Sequence, residues 1–186
     1  MKIHLLGASG SGVTTLGECL SDTLGYPYFD SDRYYWELSD PPFTIRRNSE
    51  ERDRLVREDL SGQTDWILGG SVLNWGERWL SAFDLVVFLW IPSAIRIDRL
   101  KEREAERYGA VIFYDPARSQ QYREFIEWAS GYDTNTARER TIAAHLQWLA
   151  KLSCPVLQLE GDLSVEQWTE RVIEKVRNIT TTNERK

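Results

Sequence analysis

An apolar run at residues 3–6 leads directly into Gly7-Ala8-Ser9-Gly10-Ser11-Gly12-Val13-Thr14, with Thr15 behind it. Gly7, Gly12 and Thr14 meet the fixed positions of G-x-x-x-x-G-K-[ST], and Val13 stands where that pattern has lysine. Glycines let successive backbone N–H groups turn toward one point and cradle phosphate oxygens. The helix that opens there adds the positive end of its dipole. Gly7, Ser9, Gly10, Ser11, Gly12, Val13, Thr14 and Thr15 are therefore the expected nucleotide contacts, with the Thr14 hydroxyl placed to reach Mg²⁺. Valine brings no ammonium to the outer phosphates. If the loop serves phosphoryl transfer, the developing charge must be neutralised by other side chains. Two readings stand side by side: a catalyst with rearranged cations, or a nucleotide-binding sensor that has lost the chemistry.

Asp30 and Asp32 follow the second apolar run, at 26–29. Mg²⁺ takes oxygen ligands and keeps several waters, so one of these carboxylates suffices for it, directly or through water. The other can orient an acceptor hydroxyl or take its proton. Asp32 also suits the N-cap of a helix carrying Tyr34, Tyr35 and Trp36. The third run ends Leu68-Gly69-Gly70-Ser71 with no acid, which throws the metal-holding role onto Asp30. Arg96, Arg99, Arg103 and Arg107 are spaced by three, four and four, along one helical face. Interleaved glutamates make that face read as solvated, most clearly at Arg96. Asp84 begins its strand, at the wrong end for phosphates.

These residues need a frame that brings them together. Short apolar runs at 3–6, 26–29, 66–68, 84–91 and 156–159 read as strands. The run at 84–91 is unbroken rather than alternating, so both of its faces should be covered, as in a parallel sheet. Helical spacing at 14–24, 50–60, 93–108, 118–129 and 138–152, and a capping-box pattern at Ser164–Gln167, fill the intervals. The tail at 180–186 is polar and expected to fray. Alternating strands and helices predict an α/β fold with a parallel sheet between helices on both faces. Ligands then bind beyond the carboxyl ends of the strands.

The chain has 186 residues, 41% hydrophobic and 28% charged, which fits one globular domain over 1–186. A formal charge of −6 weighs against a nucleic-acid partner. Cys19 and Cys154 have no metal-ligand spacing, and His4 and His145 are far apart, so a zinc site is not expected. Gly7 cuts the first apolar run too short for a signal peptide, and no stretch is long enough to span a membrane. A cytoplasmic monomer or homodimer is the resulting expectation.

The loop Gly7–Thr15, the Tyr28-Phe29-Asp30-Ser31-Asp32 and Tyr34-Tyr35-Trp36 segments, Gly69-Gly70-Ser71, the 84–92 run and the arginine helix together resemble the small P-loop kinases. That group includes the adenylate-kinase-like and shikimate-kinase-like enzymes, and bacterial topology-modulation-type P-loop proteins whose loop also lacks the lysine. The resemblance implies a five-stranded parallel sheet in the order 2-3-1-4-5, ATP with Mg²⁺, and transfer of the terminal phosphoryl group to a nucleoside monophosphate or a hydroxylated small metabolite. It implies an acceptor-binding segment at 32–62 and a short lid at 108–116. Arg99 and Arg103 resemble lid-entry arginines. With Arg118 or Arg123 beyond the lid, they are the candidates to supply the charge absent at Val13. Asp30 and Asp32 are similar to the aspartate pair of shikimate kinase, and Gly161 to an adenine-contact turn. Trp36, Trp75 and Trp79, with Tyr34 and Tyr35, then either stack on a flat acceptor or pack as a cover over its segment. Arg46 and Arg47 are nearby cations for an acceptor phosphate or carboxylate.

Overall fold

The computed structural model describes residues 1–40 and 42–184. Among these residues, β1 (Lys2–Gly7), β2 (Tyr28–Asp30), β3 (Trp66–Gly69), β4 (Leu85–Trp90) and β5 (Val156–Glu160) form a parallel sheet in the order β2-β3-β1-β4-β5. Helices α1 (Val13–Leu24), α2 (Ser31–Tyr35), α3 (Ser49–Ser61), α4 (Ser93–Tyr108), α5 (Val111–Tyr114), α6 (Pro116–Ser130), α7 (Ile142–Leu149) and α8 (Val165–Glu184) complete the chain, with a 3₁₀ turn at Glu77–Leu80. This is the three-layer α/β architecture with strand order 2-3-1-4-5.

The central strands show why both faces must be covered. In β1, Ile3 and Leu5 point into a core shared with Leu16 and Leu20 of α1 and Trp168, Val172 and Val176 of α8. Leu6 points the other way, into a core with Val56 of α3, Leu149 of α7 and the rings of Trp75, Trp79 and Phe83. Each fully buried leucine contributes roughly 1.5–3 kcal/mol. His4 shares the second face. It stacks on Phe83 at 4.6 Å and meets the Leu68 carbonyl at 2.9 Å. Burial pushes its pKa down to about 4, so it is neutral at physiological pH.

Register decides what lies at the sheet's carboxyl edge. Asp30 pairs with Gly69, Gly69 with Leu5, and Gly7 with Leu89, so the ends of β2, β3, β1 and β4 come out side by side. Asp84 lies at the opposite edge, where its carboxylate accepts from the Lys2 amide at 2.7 Å.

Several expected elements shift. The second strand starts at Tyr28, after Pro27, which has no N–H to give a ladder. The helix expected at 138–152 is only α7, because Thr141 caps it and the stretch before it turns at Asn135 and Glu139 with positive φ. The tail is helical through Glu184 rather than frayed, and Arg185 and Lys186 lie outside the described residues. Trp75 and Trp79 are buried core residues, and their packing role is the one the structure displays.

Candidate active site

The loop between β1 and α1 is shaped by what surrounds it. Gly10 and Gly12 have φ of 80° and 87°, and Gly12 is the N-cap of α1 with no side-chain cap. The first-turn amides of α1 therefore have no intrahelical acceptor and are available to an anion. A Cβ on Gly7 would stand 2.4 Å from Ser11 Oγ, and one on Gly12 3.1 Å from the Trp168 ring. Val13 is half-buried and packs against the first core, so its side chain belongs to the floor of the loop. Thr14 and Thr15 are exposed at its mouth.

Asp30 stands opposite. Its side chain accepts the Asp32 amide at 2.9 Å, so Asp30, and not Asp32, caps α2. Burial raises the Asp30 carboxyl above the ordinary carboxylate range, and the Asp32 charge adds to this. The Asp32 amide, the Arg140 guanidinium and the Thr14 hydroxyl pull it back down. Those influences put Thr14, Asp30 and Asp32 at one place, as the motifs require. Burial likewise raises the Tyr28 phenol, with the Asp30 charge adding.

The double glycine has a steric reason. A Cβ on Gly69 would lie 2.2 Å from Tyr28 Oη, and one on Gly70, where φ is 100°, 1.9 Å from Ser31 Oγ. The small residues let Tyr28 and Ser31 close in beneath Asp30. The side of the site away from the loop holds a cavity of about 250 Å³, bounded in part by Asp32, Arg33, Trp36, Pro42 and Phe43. It lies within the stretch expected to bind the acceptor.

The arginines distribute differently from their even spacing. Arg96 is not solvated: it is 1% exposed, and its Nη1 reaches the Ser9 carbonyl of the loop at 3.3 Å. Arg99 pairs with Asp162 at 2.5 Å, beside Gly161, whose φ of 90° and open surroundings leave its backbone accessible. Arg103 donates to Glu104 at 3.1 Å and lies over the Phe125 ring. Arg118 pairs with Asp40 at 3.5 Å, and Arg123 donates to Ser119. Arg140, which the motifs did not single out, is the arginine whose charge reaches Asp30. It lies just before the Thr141 cap, inside the helix expected from 138 but outside α7.

Arg46 and Arg47 separate in the same way. Arg47 donates to the Tyr34 and Trp36 carbonyls, both at 3.0 Å, and holds the end of α2 in shape. Arg46 makes an exposed pair with Glu139. Arg47→Met is expected to destabilise the protein by about 1.5–3 kcal/mol, since two carbonyls lose a charged donor. Arg46→Met is expected to be nearly neutral, as exposed pairs contribute little. Thermal melts of the two variants check both.

The residues present suit Mg²⁺ and a polyphosphate. A threonine hydroxyl and a carboxylate are oxygen donors, and Mg²⁺ completes its shell with water and phosphate rather than an all-protein cage. No cluster of three or more His, Cys, Asp or Glu side chains suited to a metal is found among the described residues. Ser11 Oγ and Ser31 Oγ, one in the loop and one below Asp30, are buried without a hydrogen-bond partner among those residues. Nor is any described helix long and apolar enough to cross a membrane.

No family profile matches the chain. It is 46% identical over 173 residues to the uncharacterized protein YqaC of Bacillus subtilis strain 168, covering 93% of this chain and 96% of that one. It is 30% identical over 108 residues to a shikimate kinase of Acinetobacter baylyi, covering 53% of this chain and 60% of that one. Its fold is that of the M. mycoides deoxyadenosine kinase solved with bound dATP, at a TM-score of 0.58 and 18% identity, over 95% of this chain and 100% of that one. Over part of its length the chain is thus similar in sequence to a shikimate kinase, and it shares the fold of a deoxyadenosine kinase.

Proposed function

We propose that this protein transfers the terminal phosphoryl group of ATP to a small-molecule acceptor, either the phosphate of a nucleoside monophosphate or the hydroxyl of a hydroxylated metabolite, and the hydroxyl is the acceptor that Asp30 suits. The observation that carries this reading is the juxtaposition of Asp30 with Thr14 at the mouth of the glycine loop. Asp30 has a raised carboxyl, the state suited to taking a proton during the reaction. The loop amides and the start of α1 hold the phosphates, and Gly161 lets the base approach the β5–α8 turn. Thr14 would hold Mg²⁺, with water completing its shell, and the ion would supply positive charge against the phosphates.

The remaining work belongs to this chain's own residues. Asp32 and the cavity beside Trp36 and Phe43 position the acceptor, and Asp30 accepts its hydroxyl proton as the new P–O bond forms and the bond to ADP breaks. Arg99 and Arg103 reach the phosphates as the 108–116 lid closes, supplying the charge that Val13 does not. Arg140, already close enough to act on Asp30, supplies it from the other side. In an ADP-release assay across nucleoside monophosphates, shikimate-like acids and sugar acids, the expected result is release that depends on one acceptor class. Tight ATP binding without release for any acceptor would instead establish a sensor.

A further inference from the structure

Arg96 does a job that neither the loop pattern nor its place on α4 announces. Its Nε donates to the Ile91 carbonyl at 3.0 Å, its Nη1 to the Ser9 carbonyl at 3.3 Å, and its Nη2 forms an ion pair with Asp133. The guanidinium lies over the Tyr132 ring, 5.2 Å from its centroid. Asp133 is fixed in turn by the Trp90 indole, which donates to it at 3.2 Å. The main chain of the same arginine is the wall behind the loop, since a Cβ on Gly10 would stand 2.7 Å from the Arg96 carbonyl oxygen.

We infer that Arg96, clamped by Asp133, is the positioning residue of the phosphate loop: it ties the Ser9 carbonyl back so that the neighbouring amides stay turned toward the phosphates. The need follows from the loop's chemistry. A carbonyl free to rotate into an amide cradle presents its negative end to the anion, and the loop's glycines make such rotation easy. Where lysine follows the last glycine, an ammonium can offset that repulsion. Here Val13 cannot, so the cradle depends on backbone orientation alone. Asp133 neutralises the guanidinium, so the pair adds little net charge to the site. Its contribution is geometric: arginine's planar fork holds a loop carbonyl, the Ile91 carbonyl just past β4 and a carboxylate at once, which an ammonium cannot do. Asp133 lies just past α6, so the clamp also ties the loop to the segment that follows the lid.

The inference rests on the kinase reading only in taking this loop as the phosphate site, and its test does not need turnover. Asp133 is 24% exposed, so Asp133→Asn is mild and removes the anion that orients the guanidinium. Arg96→Met/Asp133→Leu removes the buried pair together, a change that buried ion pairs tolerate when apolar volume replaces them. In nucleotide-free protein, hydrogen exchange of the buried Ser11 amide, which donates to the Ala8 carbonyl across the loop at 3.1 Å, should accelerate about tenfold or more in Asp133→Asn, with the β1 and α1 interiors unchanged. By calorimetry, ADP and ATP should weaken by the same factor of about ten, and by more in the double variant. A purely structural pair would lower the melting temperature and leave loop exchange at its parental rate. Parental exchange of the Ser11 amide in Asp133→Asn overturns the inference whatever the affinities do. If the parent binds no nucleotide, the kinase reading falls and the exchange result still decides this one.

Discussion

Asp30→Asn is expected to leave a folded protein whose phosphoryl transfer is slower by about two to three orders of magnitude, the loss typical of a missing general base. The substitution isolates the charge. Asparagine is as good an N-cap as aspartate, so it keeps the Asp32 amide bond that starts α2. What disappears is the carboxylate facing Thr14 and Asp32. Because burial raises this carboxyl in the folded state, the stability it contributes is complete below the ordinary carboxylate pKa and is lost as pH rises through the folded value. At neutral pH the ionised group therefore opposes folding. Asp30→Asn should melt higher than the parent at pH 7, with the gain fading as the buffer is taken below the ordinary carboxylate range. The parent's rate should fall as pH drops through the raised Asp30 value, and the variant's residual rate should lack that acid limb. Rate–pH profiles and melts at matched pH check all three. A variant within about threefold of the parent at pH 7 would remove Asp30 from the base's role, since general-base losses begin near a hundredfold.

The parts of this site that were legible in the sequence are those whose physics is local. A glycine loop between an apolar run and a helix specifies a tight strand-to-helix turn with unpaired amides without reference to the rest of the chain. The unbroken run of β4 specifies a strand covered on both faces. Asp30 could be placed at the sheet's edge because it ends a strand. Arg96 was illegible for the opposite reason. Its three-four-four spacing with Arg99, Arg103 and Arg107 describes a helix face but not what covers the helix's first turn. Here that turn is covered by the loop and by Tyr132 and Asp133, which lie more than thirty residues away along the chain. Trp75 and Trp79 were ambiguous in the same way, because an aromatic side chain fits a core as readily as a ligand, and only packing against Phe83 and Arg52 decides. Arg140 was hidden by an expected helix that began at 138, ahead of the Thr141 cap, although threonine before an apolar run is an ordinary cap signal.

Gly10→Ala is expected to abolish tight nucleotide binding, and the expectation follows from two independent penalties. Its φ of 80° lies in the left-handed region, which costs an L-residue roughly 1–2 kcal/mol. Its new Cβ would stand 2.7 Å from the Arg96 carbonyl oxygen and 3.1 Å from Leu100 Cγ. The first obstacle is backbone inside α4 and cannot swing aside, and overpacking of this kind costs about 1–3 kcal/mol. The loop can escape only by lifting away from α4, which pulls Ser9 from the Arg96 guanidinium and turns the cradle amides out of register. The strain then falls on binding, and ATP and ADP affinity should both drop by about a hundredfold or more. Gly62→Ala is the matched control. Gly62 closes α3 with φ near −88° and has nothing within 4 Å of a new Cβ. That variant should bind nucleotide like the parent and melt at the same temperature or slightly above it, because alanine restricts the unfolded chain. Calorimetry on the pair separates a general cost of adding methyl groups from one seated in the loop. If Gly10→Ala bound ADP as tightly as Gly62→Ala, the loop's contact with α4 would have no part in holding phosphate.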